Sequence, residues 1–431
     1  MNKIEAENFV YKSYLKAEKY QDYKAKDETK RRPDLTRDLI RKKSINPCVV
    51  VTGSKGKGSV ANMISLIMQT KKKVGLMTSP HISDFCERFK INDKNISDED
   101  FIKYMTMISL EIEQIDASIP KDICISPVGI ETDLALTYFN DHHTDFNIFE
   151  CGKGAKYDDV NNTIHQYAII NNIFLEHTRE LGKTIEEIAQ DKAHVINGEQ
   201  KCALLADEKM EVREIVKRRA EAYKVPLKIY GEDFKAENIK YTNRGMLFDV
   251  VVGEKRYDDI VIPLLGEHQA RNCALALATA KEILGEIDIN EVRYNLTKLN
   301  WPGRMEVICE QPFMMLDACI NSKSAEYVKD VLRHLNINKA SIIVGIPDDK
   351  DYVGVVEVLS PLTNRVILTK SQNPHYLFSE KQRSFLASKG IDSIWINSIE
   401  EALALARKTN LPIVILGTTS LISEVKKMFL R

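Results

Sequence analysis

In this 431-residue sequence, chemistry is most readily read from Gly53-Ser-Lys-Gly-Lys-Gly-Ser59. Its glycines let the backbone curl until successive N–H groups face one point, and a helix starting just behind adds its positive N-terminal dipole. Lys57 would neutralise the outer phosphates of a bound polyphosphate, and the Ser59 hydroxyl would reach a phosphate oxygen or a Mg²⁺ ion. The competing reading is an ordinary glycine-rich turn. A strict GxxxxGK[ST] match requires glycine at position 51, where Val51 stands. A second candidate is Glu150, which ends the apolar run Phe146–Phe149. A carboxylate there leaves the C-terminal end of a buried strand, where open α/β sheets bind their ligands.

These residues need a scaffold, and the flanking patterns supply one. Cys48 to Val51 reads as a short buried strand. Val60, Met63, Ile64, Ile67 and Met68 recur at helical spacing, and Val74 to Thr78 reads as the next strand, giving the start of a parallel sheet. Further buried strands are expected at Phe146–Phe149, Ala168–Ile173 and Ala203–Ala206. Between Leu227 and Leu265, short strands with turns at Asn243-Arg-Gly and Val252-Gly-Glu suggest a small β subregion. Helical character returns from His268 to Leu284, and Trp301-Pro-Gly breaks the chain. Beyond it, apolar runs at Phe313–Leu316, Ser341–Ile346, Arg365–Thr369, Ser393–Ile396 and Pro412–Gly417 alternate with helices, predicting a smaller doubly wound α/β domain. The division expected is 1–298 and 299–431. The charged residues 1–45 read as a surface helix and connection.

From the loop onward the chain resembles the Mur ligase superfamily, and within it the folylpolyglutamate synthase/dihydrofolate synthase branch. That branch typically reads GTNGKGS where this chain has GSKGKGS. The resemblance continues through Met77-Thr-Ser-Pro-His-Ile82, Phe85-Cys-Glu-Arg-Phe-Lys-Ile-Asn92 and Ile96-Ser-Asp98. It includes Glu150-Cys-Gly-Lys-Gly-Ala-Lys-Tyr-Asp158 with Asn161, Glu176-His177-Thr, and Ile188-Ala-Gln-Asp-Lys192-Ala. Gly266-Glu-His-Gln269 with Asn272, Trp301-Pro-Gly-Arg304, Asp317, Gly345 with Asp349-Lys350-Asp351, and Leu416-Gly417-Thr-Thr-Ser420 complete it. The matches run in order over about residues 47–425.

The resemblance implies a P-loop-type ATPase domain joined to a Rossmann-like C-terminal domain. It also implies a ligase that makes an acyl phosphate from ATP and a carboxylate, then an amide with an amino acid, most simply glutamate. By resemblance, Gly53, Ser54, Lys55, Gly56, Lys57, Gly58, Ser59, Asn272, Arg304 and Asp317 would hold the nucleotide. Ser59, Ser79, Glu150 and His177 would form the Mg²⁺ environment, with Lys57, His177 and Lys192 as the catalytic set. Lys192, read alone, is a solvated helical lysine; in the family a lysine here is carbamylated and helps hold a second Mg²⁺.

The chain departs from the branch at the substrate side. Asp317-Ala-Cys-Ile-Asn-Ser322 replaces DGAHNP, so Ile320, which can neither donate nor accept, stands for a histidine. Ser126-Pro-Val-Gly-Ile-Glu131 replaces the aromatic TFFE ahead of a helix expected at Thr132–Phe139. Three readings follow: a folate enzyme, a related ligase with another carboxylate, or a non-catalytic nucleotide-binding homologue. Phe85 or Phe89 would supply a stacking surface in the first. Bulk properties are neutral among them: 44% hydrophobic and 29% charged residues, with Lys and Arg at 61 against 62 for Asp and Glu. That balance speaks against a dedicated nucleic-acid binder. No run approaches the roughly 18 apolar residues of a membrane span, and the eight scattered cysteines lack any CxxC pair. A cytoplasmic protein with reduced thiols is expected, as a monomer or small homo-oligomer.

Overall fold

A computed structural model describes residues 1–20, 27–242 and 244–429. The first of its three sheets contains β1 (Cys48–Thr52), β2 (Val74–Met77), β3 (Phe89–Ile91), β4 (Lys94–Asn95), β5 (Phe146–Glu150), β6 (Tyr167–Ile170), β7 (Cys202–Leu205) and β8 (Leu227–Ile229), in the order β4-β3-β2-β5-β1-β6-β7-β8. From β2 to β8 the pairings are parallel, and β3 and β4 add an antiparallel edge. Alternation sets the two faces: Val49 and Val51 join one core, Val50 the other. The helix Lys57–Met68 is buried at every position from Gly58 onward. It lies in the same core as Val49 and Val51, together with the helix Glu267–Leu284 and the inner residues of the next sheet.

That sheet is antiparallel and matches the expected β subregion: β9 (Phe234–Thr242), β10 (Gly245–Val252) and β11 (Lys255–Ile262), in the order β11-β10-β9. The Asn243 of the expected turn lies outside the described residues. The third sheet holds β12 (Glu306–Glu310), β13 (Phe313–Asp317), β14 (Ser341–Gly345), β15 (Val366–Leu368), β16 (Ser393–Trp395) and β17 (Ile413–Gly417). Its order is β12-β13-β17-β14-β15-β16, with all pairs parallel except β12 with β13. Helices cover both faces, giving two cores, one around Met315, Val344 and Leu416, the other around Leu316, Ile343 and Ile415. The expected two-part α/β architecture is therefore present.

Three expectations need correction. The N-terminal segment is more than a surface connection. In the helix Lys3–Glu18, Ala6, Phe9, Val10, Ser13 and Ala17 are buried at helical spacing, and its first turn is closed by a capping box of Asn2 and Glu5. The charged residues occupy its other face while Phe9 and Val10 join the core of Phe101, Tyr104 and Ile108. Next, the helix expected at Thr132 starts at Pro127, because Ser126 caps it through a 3.0 Å bond from the Gly129 N–H. Last, β6 ends at Ile170 rather than Ile173, because the following residues turn to the phosphate loop: the Ser54 N–H donates to the Asn172 carbonyl at 2.7 Å.

Because Phe9 is packed on all but a sliver of its surface, Phe9→Ala should cost about 3 kcal/mol or more of unfolding free energy. A shift of the denaturant midpoint no larger than that of an exposed control such as Ile4→Ala would show the N-terminal helix to be dispensable.

Candidate functional site

The register of three parallel strands brings the loop and Glu150 to one edge. Val51 pairs with Glu150, and Thr52 pairs with Ile170, so β5, β1 and β6 end side by side. The loop leaves β1 at Gly53 and enters its helix through Gly56, whose φ of 80° lies in the left-handed region. A Cβ on Gly56 would stand 2.6 Å from Asn171 Nδ2, so shape and conformation both demand glycine there. Gly58 is restricted differently: a Cβ would meet the Trp301 ring at 2.5 Å.

Side chains around the loop either tie it down or await a ligand. Asn171 Nδ2 donates to the Lys55 carbonyl at 2.8 Å and to Asn272 Oδ1 at 3.1 Å, while Asn272 Nδ2 donates to Gln269 Oε1 at 3.0 Å. This chain joins the loop to the helix Glu267–Leu284. Ser54 Oγ is bound to the backbone of Phe174, so its side chain is structural. Ser59 Oγ is buried and has no hydrogen-bond partner, and Asn171 Oδ1 is in the same condition. Such atoms cost free energy unless a ligand satisfies them. Ser59 lines a small cavity of about 30 Å³ with Lys55, Gly56, Asn272, Arg304 and Asp317. Six of the ten expected nucleotide residues line it, and Asp317 also accepts from the Met305 N–H at 2.9 Å.

Glu150 accepts from the Ser79 N–H at 3.0 Å and is almost fully buried. Burial raises its pKa, opposed by the Lys57 charge, the Ser79 N–H and the Arg304 guanidinium. Lys57 Nζ meanwhile donates to the Gly53 carbonyl at 3.1 Å. A carboxylate, a serine on the adjoining strand end and an unpaired serine hydroxyl make a hard-oxygen set suited to Mg²⁺.

Lys192 overturns the reading of a solvated lysine. Its side chain is fully buried, donating to the Gly53 carbonyl at 2.9 Å and to Glu176 Oε1 at 3.1 Å. Burial lowers its pKa, with Glu176 pulling it back up. His177 lines a different cavity from Ser59. Its ring is exposed on the wall of a cleft of about 890 Å³ between the domains, beside Glu176 and Lys350, and makes no hydrogen bond to Ser59, Ser79 or Glu150 among the described residues. Two loop N–H groups, from Glu180 and Leu181, bind its carbonyl and turn the chain outward there. Ile320 lines this same cleft.

Asn171 and Trp301 were not singled out for these roles by sequence reasoning. Asn171 follows an apolar run as Glu150 ends one, so the same strand-end argument would have found it. Trp301 carries no such signal, since its contact with Gly58 depends on a distant chain segment. Phe85 and Phe89, expected as possible stacking surfaces, are buried and pack on each other and on Phe101.

Residues 51–280 match the Mur ligase middle domain. The chain is 28% identical over 390 residues to the dihydrofolate synthase/folylpolyglutamate synthase of Bacillus subtilis (strain 168), covering 88% of this chain and 89% of the relative. It is 27% identical over 387 residues to the folylpolyglutamate synthase of Lacticaseibacillus casei, with the same coverage. Folylpolyglutamate synthase of Mycobacterium tuberculosis complexed with ADP and AMPPCP has the same fold, at a TM-score of 0.89 and 23% identity over 100% of this chain and 99% of that one.

Since a side chain at position 56 would strike Asn171 from a strained backbone, Gly56→Ala should weaken ADP binding by roughly tenfold or more with the fold retained. Calorimetric titration measures this, and affinity equal to that of the parent would remove the loop from the binding site.

Proposed function

The chain belongs to the Mur ligase family through its middle domain, and from that premise we propose an ATP-dependent, ADP-forming carboxylate–amine ligase of the folylpolyglutamate/dihydrofolate synthase type. The observation that carries this reading is the match over residues 51–280, which contains the phosphate loop, Glu150 and Lys192 in one site. We assign residues 1–298 to the ATP-binding domain and 299–431 to the C-terminal domain.

In the proposed reaction a substrate carboxylate oxygen takes the γ-phosphoryl group and ADP leaves. The amine nitrogen then attacks the carbonyl carbon, the C–O bond to phosphate breaks, and inorganic phosphate departs as the amine loses its proton. Such transfers need positioning and charge neutralisation above all. The loop N–H groups and Lys57 serve the phosphates, Arg304 and Asn272 the rest of the nucleotide, and Asp317 approaches from the third sheet. Mg²⁺, held by Ser59, Ser79 and Glu150, would neutralise phosphate charge. His177 would join them from the wall of the cleft.

Lys192 as a carbamate fits the same site. The lowered pKa favours the neutral amine that adds to CO₂, and the resulting anion beside Glu176 would require a cation between them. The acceptor and the amine remain a pteroate-type carboxylate and glutamate by relationship, and cytoplasm is the compartment consistent with this substrate set. No helix among the described residues is long and apolar enough to cross a membrane.

A second reading keeps the chemistry and changes the acceptor. It draws on Phe85 and Phe89 being locked in the core, on Ile320, and on Glu131, which is spent on a 2.6 Å pair with Arg88. ADP release measured with a panel of carboxylates crossed with amino acids separates the two. Glutamate-dependent turnover with a reduced folate supports the first, turnover only with another carboxylate the second, and no turnover with any pair refutes ligase activity.

For the metal, Glu150→Gln should raise the Mg²⁺ concentration at half-maximal rate, and ¹³C-bicarbonate should give a carbamate carbon signal that Lys192→Arg lacks. An unchanged Mg²⁺ dependence would leave Glu150 structural, and a missing signal would leave Lys192 an ordinary buried ammonium.

A further inference from the structure

Lys55 stands in the phosphate loop where the related loops typically carry asparagine, and its side chain points across the domain boundary. Its Nζ donates to Ser324 Oγ at 2.7 Å and to the Ala318 carbonyl at 3.2 Å, and lies 3.9 Å from Asp317 Oδ1. These partners follow β13 and open the helix Ser322–His334, in which Ser324 is buried and bonded to the capping Asn321. The same helix meets the first domain twice more. Tyr327 stacks on His268 with ring centroids 4.3 Å apart, and His334 stacks on Tyr241 at 4.0 Å. Residues 324, 327 and 334 lie on one helical face, so this helix forms one seam between the domains, and its first contact is made by the phosphate loop itself.

We propose that Lys55 is an interdomain positioning residue: it fixes the stretch Asp317–Ser324, including Ile320, over the loop, so that nucleotide occupancy and C-terminal domain placement are coupled through the Lys55–Ser324 contact. The argument is chemical as well as geometric. An ammonium has three donors and no acceptor, and here two are used by a carbonyl and a hydroxyl beside a carboxylate. Its partners belong to the segment where the related signature carries a histidine and this chain an isoleucine, so the lysine supplies a polar tie that Ile320 cannot make. The neutral asparagine typical of the related loops carries no charge to place beside Asp317.

This inference rests on the proposed nucleotide site, and its test separates the two. ADP affinity, turnover with the productive substrate pair, and amide hydrogen exchange in residues 318–327 are measured for the parent, Lys55→Met, Ser324→Ala and the double variant. Failure of the parent to bind ADP would refute the nucleotide site itself. Given binding, the expected result is that ADP lowers exchange in residues 318–327 of the parent, that Lys55→Met loses this ADP-dependent protection, and that its turnover falls at least tenfold. Exchange in 318–327 should rise in both single variants and rise no further in the double variant, with Lys55→Arg recovering protection. A tenfold loss of ADP affinity in Lys55→Met, with exchange unchanged and effects additive with Ser324→Ala, would make Lys55 a phosphate ligand and overturn the proposal.

Discussion

The register between β5, β1 and β6 is the constraint on which the site depends. Val51 opposite Glu150 and Thr52 opposite Ile170 place three chain reversals at one edge. A slip of one residue in β5 would turn Glu150 to the other face of the sheet and bring Phe149 to the loop. The register is held by burial on both faces, since every residue of β1 and β5 is buried and alternate residues belong to different cores. The hydrophobic pattern thus sets the position of a charged group that takes no part in it.

Charge within the site is arranged partly by proximity and partly by the Lys192–Glu176 pair. Glu150 has Lys57 and Arg304 as neighbouring cations but accepts its hydrogen bond from a backbone N–H. Lys57 and Lys192 both donate to the Gly53 carbonyl. Lys57 and the N–H groups of the loop are the positive ends already in place for a phosphate.

The strands and their order of appearance were legible because buried parallel strands are short apolar runs, and the glycine-lysine loop was legible because few residue types can form it. What escaped was decided by contacts distant in sequence. Lys192 looks like any helical lysine until the carbonyl of Gly53 and the carboxylate of Glu176 are brought against it. The helix Lys3–Glu18 has a charged composition that conceals a narrow apolar stripe, and the helices Asp98–Ser118 and Pro127–Asp141 give that stripe its partners. His177 carries a recognisable motif, but the cleft it lines is formed with residues of the second domain, which a motif does not specify.

The helix Lys57–Met68, mostly apolar, is buried from Gly58 onward by the first sheet and by the helix Glu267–Leu284, which lies some two hundred residues later in the chain. On a ribosome this segment emerges early and waits for most of the first domain to be synthesised before it can be covered. Contacts of such sequence separation slow folding and leave apolar surface open to wrong partners. The loop that carries the chemistry opens this helix, so the protein's most useful segment is also its most exposed one during birth, and assistance from chaperones matters most in that interval.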